Sequence, residues 1–304
     1  MEVKSIMIDL HMHTTYSDGS NTVEEILEKA EKLKLGMISI TDHDNCRAYK
    51  KLKNEEIRSK FSGKIIPGIE IKCSYGKRLI EVLGYNIDTD KMQDWADEYY
   101  KDKTKEKLQA KYFNILYEKC MDLNLVMRKK EEIEFDSKVQ WASVTIYNEI
   151  KSHIENKEKL PNDLWDEFNT FSKKYCGNPQ EIFYIDKTKD YPSTELVIQK
   201  IRECGGLAFY PHLFIYKWAD DRKGMINELL EKYSIDGIEC MHSEFNNEEI
   251  DYMLNLCKER NYFMSGGSDY HGKNKPNIEM ATGKGNLKIE SSMIKNWIDE
   301  KKLI

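Results

Sequence analysis

The stretch Ile8-Asp9-Leu10-His11-Met12-His13, followed shortly by Asp18, decides the fold and the chemistry of this chain. In a β-strand the side chains alternate between two faces, so Asp9, His11 and His13 share one face. Two imidazoles that stand two residues apart on one strand face can bind the same metal ion. Paired histidines also occur at ordinary strand ends, but here two aspartates flank the pair. We therefore predict a metal site at the end of the first strand.

Composition narrows the class of protein. The chain has 304 residues, of which 40% are hydrophobic and 33% charged, and its formal net charge is −6. This length suits one large α/β domain or one domain with an insertion, and the acidic balance argues against a protein that coats nucleic acid. We see no apolar run of signal-peptide or transmembrane length and expect a cytoplasmic protein that binds no membrane. Seven scattered cysteines without a Cys-x-x-Cys motif predict reduced thiols.

Strand and helix patterns alternate near the N-terminus and again after about residue 190. Thr22 and Glu25 form a capping box that predicts the start of the first helix, and Gly36 is placed to end it. Such alternation favours a β/α barrel or an open parallel sheet, whose functional residues lie where the strands end. Metal-binding side chains stand at or near these predicted strand ends: His11, His13, Asp18, His43, Glu70, His212, His242, Asp269 and His271.

The middle of the chain is different. Residues 88–190 are rich in Lys and Glu, and their apolar residues recur at helical spacing. We therefore predict a helical insertion between two parts of one domain, with boundaries 1–87, 88–190 and 191–304. Six of the seven histidines lie outside this insertion, and for His153 inside it we expect an ordinary surface or packing role.

Four motifs, in their order and approximate spacing, resemble the polymerase and histidinol phosphatase (PHP) family. They are Asp9 to Thr14 with Ser17-Asp18-Gly19, Thr41-Asp42-His43-Asp44, Pro67-Gly68-Ile69-Glu70, and Gly266 to Gly272. The resemblance implies a distorted seven-stranded β/α barrel of TIM-like form with up to three metal ions at one rim. The Ser-Asp-Gly version looks most like the branch that dephosphorylates nucleoside 3′,5′-bisphosphates and trims short RNA.

The resemblance also implies three metal sites that share ligands. The first would be bound by His11, His13, Glu70 and Asp269, the second by Glu70 and His212, and the third by Asp18, His43 and His271. Mixed imidazole and carboxylate ligands suit Mn, Zn or Fe. We therefore expect two or three divalent ions as cofactors.

Catalytic and substrate-binding roles follow from the same resemblance. Asp44, like Asp9, would orient an imidazole, and His242 near the open rim would contact the phosphate or donate a proton. Metal ions that share a water lower its pKa, so a metal-bound hydroxide would attack phosphorus, and His242 or His271 would protonate the leaving group. Arg47, Arg78 or Lys77 would help to bind the substrate phosphate, although each is equally suited to be an ordinary charged residue of the surface.

Two departures from the family pattern concern Glu81 and the insertion. Glu81 stands in an apolar strand where the family usually has a histidine, and a hairpin near Tyr75 to Lys77 would bring it beside Glu70. Two adjacent carboxylates repel unless a cation lies between them, so we predict that Glu81 is a direct or water-mediated ligand of the second metal. The nucleotidase branch has an Arg-Pro-His motif in its insertion, whereas this chain has Gln140-Trp141-Ala142 in the corresponding region. The identity of the substrate therefore cannot be transferred from that branch.

The sequence thus predicts a metal-dependent phosphoesterase that hydrolyses a small phosphate monoester, such as a nucleotide or a short oligonucleotide. One alternative is a metal-dependent C–N hydrolase like the related amidohydrolases. Another is a non-catalytic PHP module that binds a partner through its helical insertion. The complete set of ligands argues against the second alternative, and no obligate protein partner is evident.

Overall fold

Strands and helices alternate in the structure as the sequence predicts, and the computed structural model describes residues 6–304. Within these residues the strands are β1 (Ile8–Asp9), β2 (Met37–Ile38), β3 (Lys64–Ile65), β4 (Gly68–Tyr75), β5 (Arg78–Tyr85), β6 (Leu207–Tyr210), β7 (Gly237–His242) and β8 (Phe263–Gly267). The helices are α1 (Val23–Lys32), α2 (Arg47–Leu52), α3 (Glu55–Arg58), α4 (Thr89–Tyr100), α5 (Lys105–Asp122), α6 (Ala142–Ser152), α7 (Asn162–Asp166), α8 (Phe168–Thr170), α9 (Thr194–Glu203), α10 (Arg222–Lys232) and α11 (Asn247–Arg260).

The strands form two sheets. Strands β1, β2 and β3 pair in parallel, and the second sheet has the order β4-β5-β6-β7-β8, in which β6, β7 and β8 are parallel and β5 runs antiparallel to β6. Single bridges, Met12 with Tyr270 and His43 with Glu70, link strand ends of the two sheets. Among the described residues the sheets do not close into one ladder, so the closed seven-stranded barrel is not confirmed. The backbone φ is 56° at both Asp44 and Asp269, a value that is uncommon for residues other than glycine.

Helix α1 begins as predicted but does not end as predicted. The side chain of Thr22 accepts from the Glu25 amide and the Glu25 side chain accepts from the Thr22 amide, which completes the capping box. The helix ends at Lys32, and Lys34 rather than Gly36 adopts the left-handed conformation, with φ 56°. Gly36 is needed for another reason, because a Cβ there would lie 2.2 Å from the Ile6 side chain.

The described chain divides into two compact units. The first comprises the chain up to Cys73, Ile80–Asp97 and Ser193–Ile304, and the second comprises Ser74–Leu79 and Glu98–Pro192. The first five residues of the predicted N-terminal domain lie outside the described range. The predicted boundaries near residues 88 and 190 remain a prediction of domain organisation.

Each unit has its own apolar core. In the first unit, Tyr85 stacks on Trp297 at 5.4 Å between ring centroids, and its hydroxyl donates to the Leu10 carbonyl at 2.9 Å. This bond anchors the segment that carries His11 to the core. In the second unit, helices α5 to α8 pack around buried residues such as Phe171 and Phe183.

Two further sequence expectations concern cysteines and membranes. All seven cysteines are free and buried, which agrees with the predicted reduced thiols. Within residues 6–304, no helix combines the length and the apolar character that crossing a membrane requires.

Candidate metal centre

The segment that follows β1 places His11 and His13 in the interior, where both side chains are fully buried. The Leu10 amide donates to the Gly266 carbonyl, and the His13 amide donates to the Tyr270 carbonyl. Gly267 lies directly against this segment, and a Cβ there would come within 2.2 Å of the His11 Cβ. A glycine at position 267 is therefore what lets His11 lie beside strand β8.

Glu70, at the centre of the cluster, faces three imidazoles with one carboxylate oxygen. Its Oε2 lies 3.3 Å from His11 Nε2, 3.3 Å from His13 Nε2 and 3.2 Å from His43 Nδ1. Its other oxygen, Oε1, lies 2.8 Å from His212 Nε2. One buried carboxylate thus touches four of the six histidines that the sequence placed at strand ends.

Asp269 approaches the same imidazoles from strand β8. Its Oδ1 lies 3.6 Å from His11 Nε2 and 3.3 Å from His13 Nε2, in the arrangement expected for the first metal. Its Oδ2 lies 3.5 Å from His242 Nε2. The left-handed backbone of Asp269 is uncommon for a residue other than glycine, and at this position it directs the carboxylate into the cluster.

A second group lies on the exposed side of the cluster. Asp18, whose side chain is 56% exposed, places its carboxylate 3.1 Å from His271 Nε2 and 3.6 Å from both His13 Nδ1 and His43 Nε2. The other nitrogen of His271 lies 2.8 Å from the Asp269 carbonyl, which leaves Nε2 directed at Asp18. Asp18, His43 and His271 are the residues that the sequence assigned to the third metal.

Glu81 lies where the predicted hairpin brings it. Its carboxylate is 3.5 Å from His212 Nε2, 3.9 Å from His43 Nδ1 and 3.2 Å from Lys72 Nζ. Ligand atoms of His43, Glu70 and Glu81 all lie within 4.8 Å of one another. Burial raises the pKa of Glu81, but the Lys72 ammonium together with His43 and His212 outweighs it and lowers the pKa below its ordinary value. The residue is therefore an ionised carboxylate at neutral pH.

The residues of this cluster fit divalent cations. Buried ring nitrogens without a hydrogen-bond partner in residues 6–304 point into it, namely His11 Nε2, His13 Nε2 and His43 Nδ1. Buried polar atoms normally have partners, so unpaired ring nitrogens beside the carboxylates of Glu70 and Asp269 mark a place for a cation. Three groups of side chains are close enough to bind one ion each: His11-His13-Glu70, His43-Glu70-Glu81 and His13-Asp18-His43-His271.

Protonation in the absence of a cation differs among the imidazoles. Burial lowers the pKa of His13, but the carboxylates of Asp269 and Glu70 outweigh it and raise the pKa to about 9. Burial dominates at His43 and lowers its pKa to about 4, despite the opposing Glu70 charge. Without a cation, a proton on His13 therefore balances part of the negative charge, and a bound cation would displace it.

Glu239 is one of the site residues that sequence reasoning missed. This fully buried carboxylate on β7 lies 2.9 Å from His11 Nδ1, and its other oxygen accepts from the His212 amide at 2.8 Å. It therefore orients two candidate ligands at once. A lone charge inside the apolar strand Gly237–His242 was the available signal, the same signal that singled out Glu81.

Asp9 and Asp44, for which the sequence analysis expects a role in orienting imidazoles, also bind backbone amides. Asp9 accepts from the Ser268 amide and hydroxyl and from the Ala281 amide, at 2.6 to 2.9 Å, so it fixes backbone. Asp44 accepts from the Lys72 amide at 3.1 Å, and its own amide donates to the Glu70 carbonyl at 2.8 Å. Asp44 therefore holds the strand that carries Glu70.

His242 is fully buried and does not lie at an open rim. Its Nδ1 accepts from the Glu244 amide at 3.1 Å, so the ring proton belongs on Nε2, which faces Asp269. Lys275, which the sequence analysis did not single out, reaches the same carboxylate and places Nζ 2.5 Å from Asp269 Oδ2. The two side chains converge on one edge of the cluster.

The two predicted phosphate-binding arginines belong to different compact units. Arg47 is exposed in the first unit and pairs with Asp97 at 3.0 Å. Arg78 belongs to the second unit, where its guanidinium donates to the Gly177 carbonyl at 2.9 Å and to Asn178 at 2.8 Å. Within the same unit, the Lys77 carbonyl accepts from the Tyr184 hydroxyl.

Comparison with known proteins gives a family and several relatives. A PHP domain model matches residues 9–271. The 5′-3′ exoribonuclease Rnm of Escherichia coli K12 is 38% identical over 84 residues, which are 28% of this chain and 29% of that protein. A 5′-3′ exoribonuclease of Haemophilus influenzae is 24% identical over 308 residues, which cover 95% of this chain and 97% of that protein.

A solved structure supports the fold. The structure of an amidohydrolase from Chromobacterium violaceum superimposes with a TM-score of 0.62 at 15% identity and covers 98% of this chain and 97% of that one. At this identity the likeness concerns the fold alone.

Proposed function

This chain belongs to the PHP domain family, and on that premise we propose that it is a metal-dependent phosphoesterase acting on a small phosphorylated substrate. The observation that carries the proposal is the meeting of three imidazole nitrogens on Glu70 Oε2, each at 3.2 to 3.3 Å. A nucleotide or the end of a short oligonucleotide is the favoured substrate. Support for that choice comes from the Haemophilus relative, whose name describes an exoribonuclease and which aligns over nearly its full length.

We assign the ligands to three ions. The first takes His11, His13, Glu70 and Asp269, the second takes Glu70, Glu81 and His212, and the third takes Asp18, His43 and His271. When bound, such ions activate water as a nucleophile and neutralise negative charge on phosphoryl oxygens. The two carboxylates of the second group favour Mn or Fe over Zn there.

Side chains around these ligands hold the site in its working geometry. Glu239 keeps His11 in the orientation that presents Nε2, since it contacts Nδ1. His242 holds its proton on Nε2, from which a leaving oxygen could take it. Lys275 adds a positive charge at the edge of the cluster beside Asp269, where a phosphoryl oxygen needs one.

The test is a reconstitution assay. The purified protein is stripped with a chelator, reloaded separately with Mn²⁺, Fe²⁺ or Zn²⁺, and offered p-nitrophenyl phosphate, nucleotides, 5′-phosphorylated short RNA and a panel of amides. We expect phosphate release that requires metal, with no amide cleavage. Absence of phosphate release with every metal, or amide cleavage in its place, would overturn the proposal.

A further inference from the structure

We propose that Lys72 is a specificity-determining residue of the second ion, because its ammonium, held against the carboxylate of Glu81, disfavours a trivalent ion relative to a divalent one. Lys72 Nζ lies 3.2 Å from Glu81 Oε1. The inference rests on the second ion that the proposed function assigns to Glu70, Glu81 and His212, and it gives a role to a side chain that is not itself a ligand. For iron, the same charge favours Fe²⁺ over Fe³⁺.

Main-chain hydrogen bonds hold both members of the pair in place. Lys72 and Glu81 lie on β4 and β5, which are neighbours in the second sheet. The Lys72 amide donates to the Asp44 carboxylate at 3.1 Å, and the Asp44 amide donates to the Glu70 carbonyl at 2.8 Å. The Glu81 amide donates to the Tyr216 hydroxyl at 2.8 Å. The main chain that carries the ammonium and the carboxylate is therefore fixed without an ion.

The two oxygens of Glu81 have different neighbours. Oε2 lies 3.5 Å from His212 Nε2, whereas Oε1 lies 3.2 Å from Lys72 Nζ and 3.9 Å from His43 Nδ1. A carboxylate that is hydrogen-bonded through one oxygen keeps a fixed orientation and offers its other oxygen to a metal. The Lys72 ammonium therefore stays beside Glu81 when Oε2 binds the second ion, and only this carboxylate separates the two cations.

The charge of Lys72 acts on ligand atoms of the cluster. Burial raises the pKa of Glu81, and the Lys72 ammonium is the strongest of the groups that lower it. Burial is also the main cause of the low pKa of His43, and the Lys72 ammonium lowers that pKa further. The same repulsion acts on a metal ion bound nearby, and it grows in proportion to the charge of the ion. This lysine therefore disfavours a trivalent ion more than a divalent one.

Water screens this pair less than an ordinary surface pair. The side chain of Glu81 is 13% exposed and that of Lys72 is 32% exposed. In the pair of Lys53 with Asp90, which also belongs to the first unit, the side chains are 59% and 71% exposed. Interactions between exposed charges are weak, so we expect Lys53 to have no measurable effect on the second ion. Lys53 is therefore a matched control for the loss of one lysine charge.

The experiment measures the preference of the protein for a trivalent over a divalent ion. Wild type, Lys72→Met, Lys72→Arg and the control Lys53→Met are dialysed against Mn²⁺ and Tb³⁺ together, and the bound metals are counted by mass spectrometry. The second ion is identified as the one that Glu81→Ala loses. We expect Lys72→Met to raise the preference for Tb³⁺ over Mn²⁺ at this ion by about tenfold. Lys72→Arg and Lys53→Met should keep the wild-type preference.

The ratio of the two affinities isolates the effect of charge, because a disturbed ligand geometry weakens the binding of both ions. Repeating Lys72→Met in a Glu81→His background tests the pairing, since the ammonium has lost its partner there and its removal should matter less. An unchanged ratio in Lys72→Met, or the same change in Lys53→Met, would overturn the proposal. So would an equal effect in the Glu81→His background, or a second ion that Glu81→Ala retains.

These measurements need no substrate, so they separate this inference from the proposed function. If no metal supports phosphate release but Lys72→Met shows the tenfold shift in ion preference, the proposed function fails and the role of Lys72 stands. If phosphate is released and the ion preference of Lys72→Met equals that of wild type, the role of Lys72 alone is rejected.

Discussion

Two clusters of histidine and glutamate occur in this molecule, and their surroundings differ. In the second unit, Glu149 lies 3.2 Å from His153 Nε2, and both its oxygens also accept from Arg128, at 2.7 to 3.0 Å. In the first unit, Glu70 faces four imidazoles and has no arginine or lysine within ion-pair distance among the described residues.

The difference shows what distinguishes a structural pair from a metal site. The negative charge of Glu149 is neutralised by a guanidinium that also satisfies its hydrogen bonds, so the cluster is complete without a ligand. Around Glu70, buried nitrogens of His11, His13 and His43 lack hydrogen-bond partners within residues 6–304. Unsatisfied polar atoms, rather than contact between histidine and carboxylate as such, therefore indicate the cation site.

The largest expected effect comes from Glu70. Glu70→Gln keeps the shape of the side chain but removes the charge that the first and second ion groups share, so kcat/KM for phosphate release should fall by about a thousandfold or more. The matched variant His153→Ala, in the other cluster, should retain wild-type activity. Comparable losses in the two variants would remove the distinction drawn between the clusters.

A smaller loss of metal affinity is expected from substitution of Glu239, which is not itself one of the proposed metal ligands. Glu239→Ala frees the His11 ring and the His212 amide, and metal affinity should fall by about 10- to 100-fold. Glu239→Gln, which can still accept from His11 Nδ1, should recover part of the loss. Equilibrium dialysis against Mn²⁺ measures both, and wild-type affinity in the Ala variant would show that Glu239 serves packing only.

Substitutions of Glu81 test the role of the glutamate that this chain has where the family usually has a histidine. Glu81→Ala should lose the second metal, whereas Glu81→His should retain it and shift the preference towards Zn²⁺ by about tenfold, because imidazole is the softer ligand. Competition between Mn²⁺ and Zn²⁺, followed by metal analysis, reads out both variants. If the Glu81→Ala variant kept its full metal content and its full rate, Glu81 would not be a metal ligand. It would then be only a charged residue of the strand that pairs with Lys72.

The smallest effect is a pH dependence of the metal-free protein. The pKa of His13 is about 9 in the folded state, above its ordinary value near 6.5, because the carboxylates of Asp269 and Glu70 outweigh burial. A raised folded-state pKa contributes stability that is fully present below about pH 6.5 and is lost as the pH rises through about 9.

The thermal unfolding midpoint of the metal-free protein should therefore fall by several degrees between pH 7 and pH 9.5. Bound metal should reduce this fall, because the cation replaces the proton. His13→Asn, which cannot be protonated, serves as the control and should show a weaker pH dependence in the metal-free state. An equal fall in the variant would assign the dependence to other groups.

Sequence patterns predicted much of the candidate site because many of its residues stand within strands or in the segments that follow them. The family suggested by four motifs is confirmed by the PHP domain model over residues 9–271. His11, His13 and His43 meet at Glu70, and the short turn between β4 and β5 brings Glu81 beside it. Their roles as ligands remain predictions until a metal is measured.

Other features depend on contacts that no local pattern encodes. Glu239 interacts with His11 across 228 positions of sequence, and Lys275 reaches Asp269 through a turn rather than a strand. The helix end at Lys32 was misplaced because Gly36 is required by the nearby Ile6 side chain, not by the helix. The alternation of elements left a β/α barrel and an open parallel sheet as alternatives, and the distorted seven-stranded barrel that the family resemblance implied is not confirmed among the described residues.

Metal content per chain tests the central claim most directly. Wild type and Glu70→Gln are reconstituted anaerobically with Mn²⁺, passed through a desalting column and analysed by inductively coupled plasma mass spectrometry. Our account predicts at least two ions per wild-type chain and the loss of most of them in Glu70→Gln, with both proteins folded by circular dichroism. Equal metal content in the two proteins, or none in wild type, would contradict it.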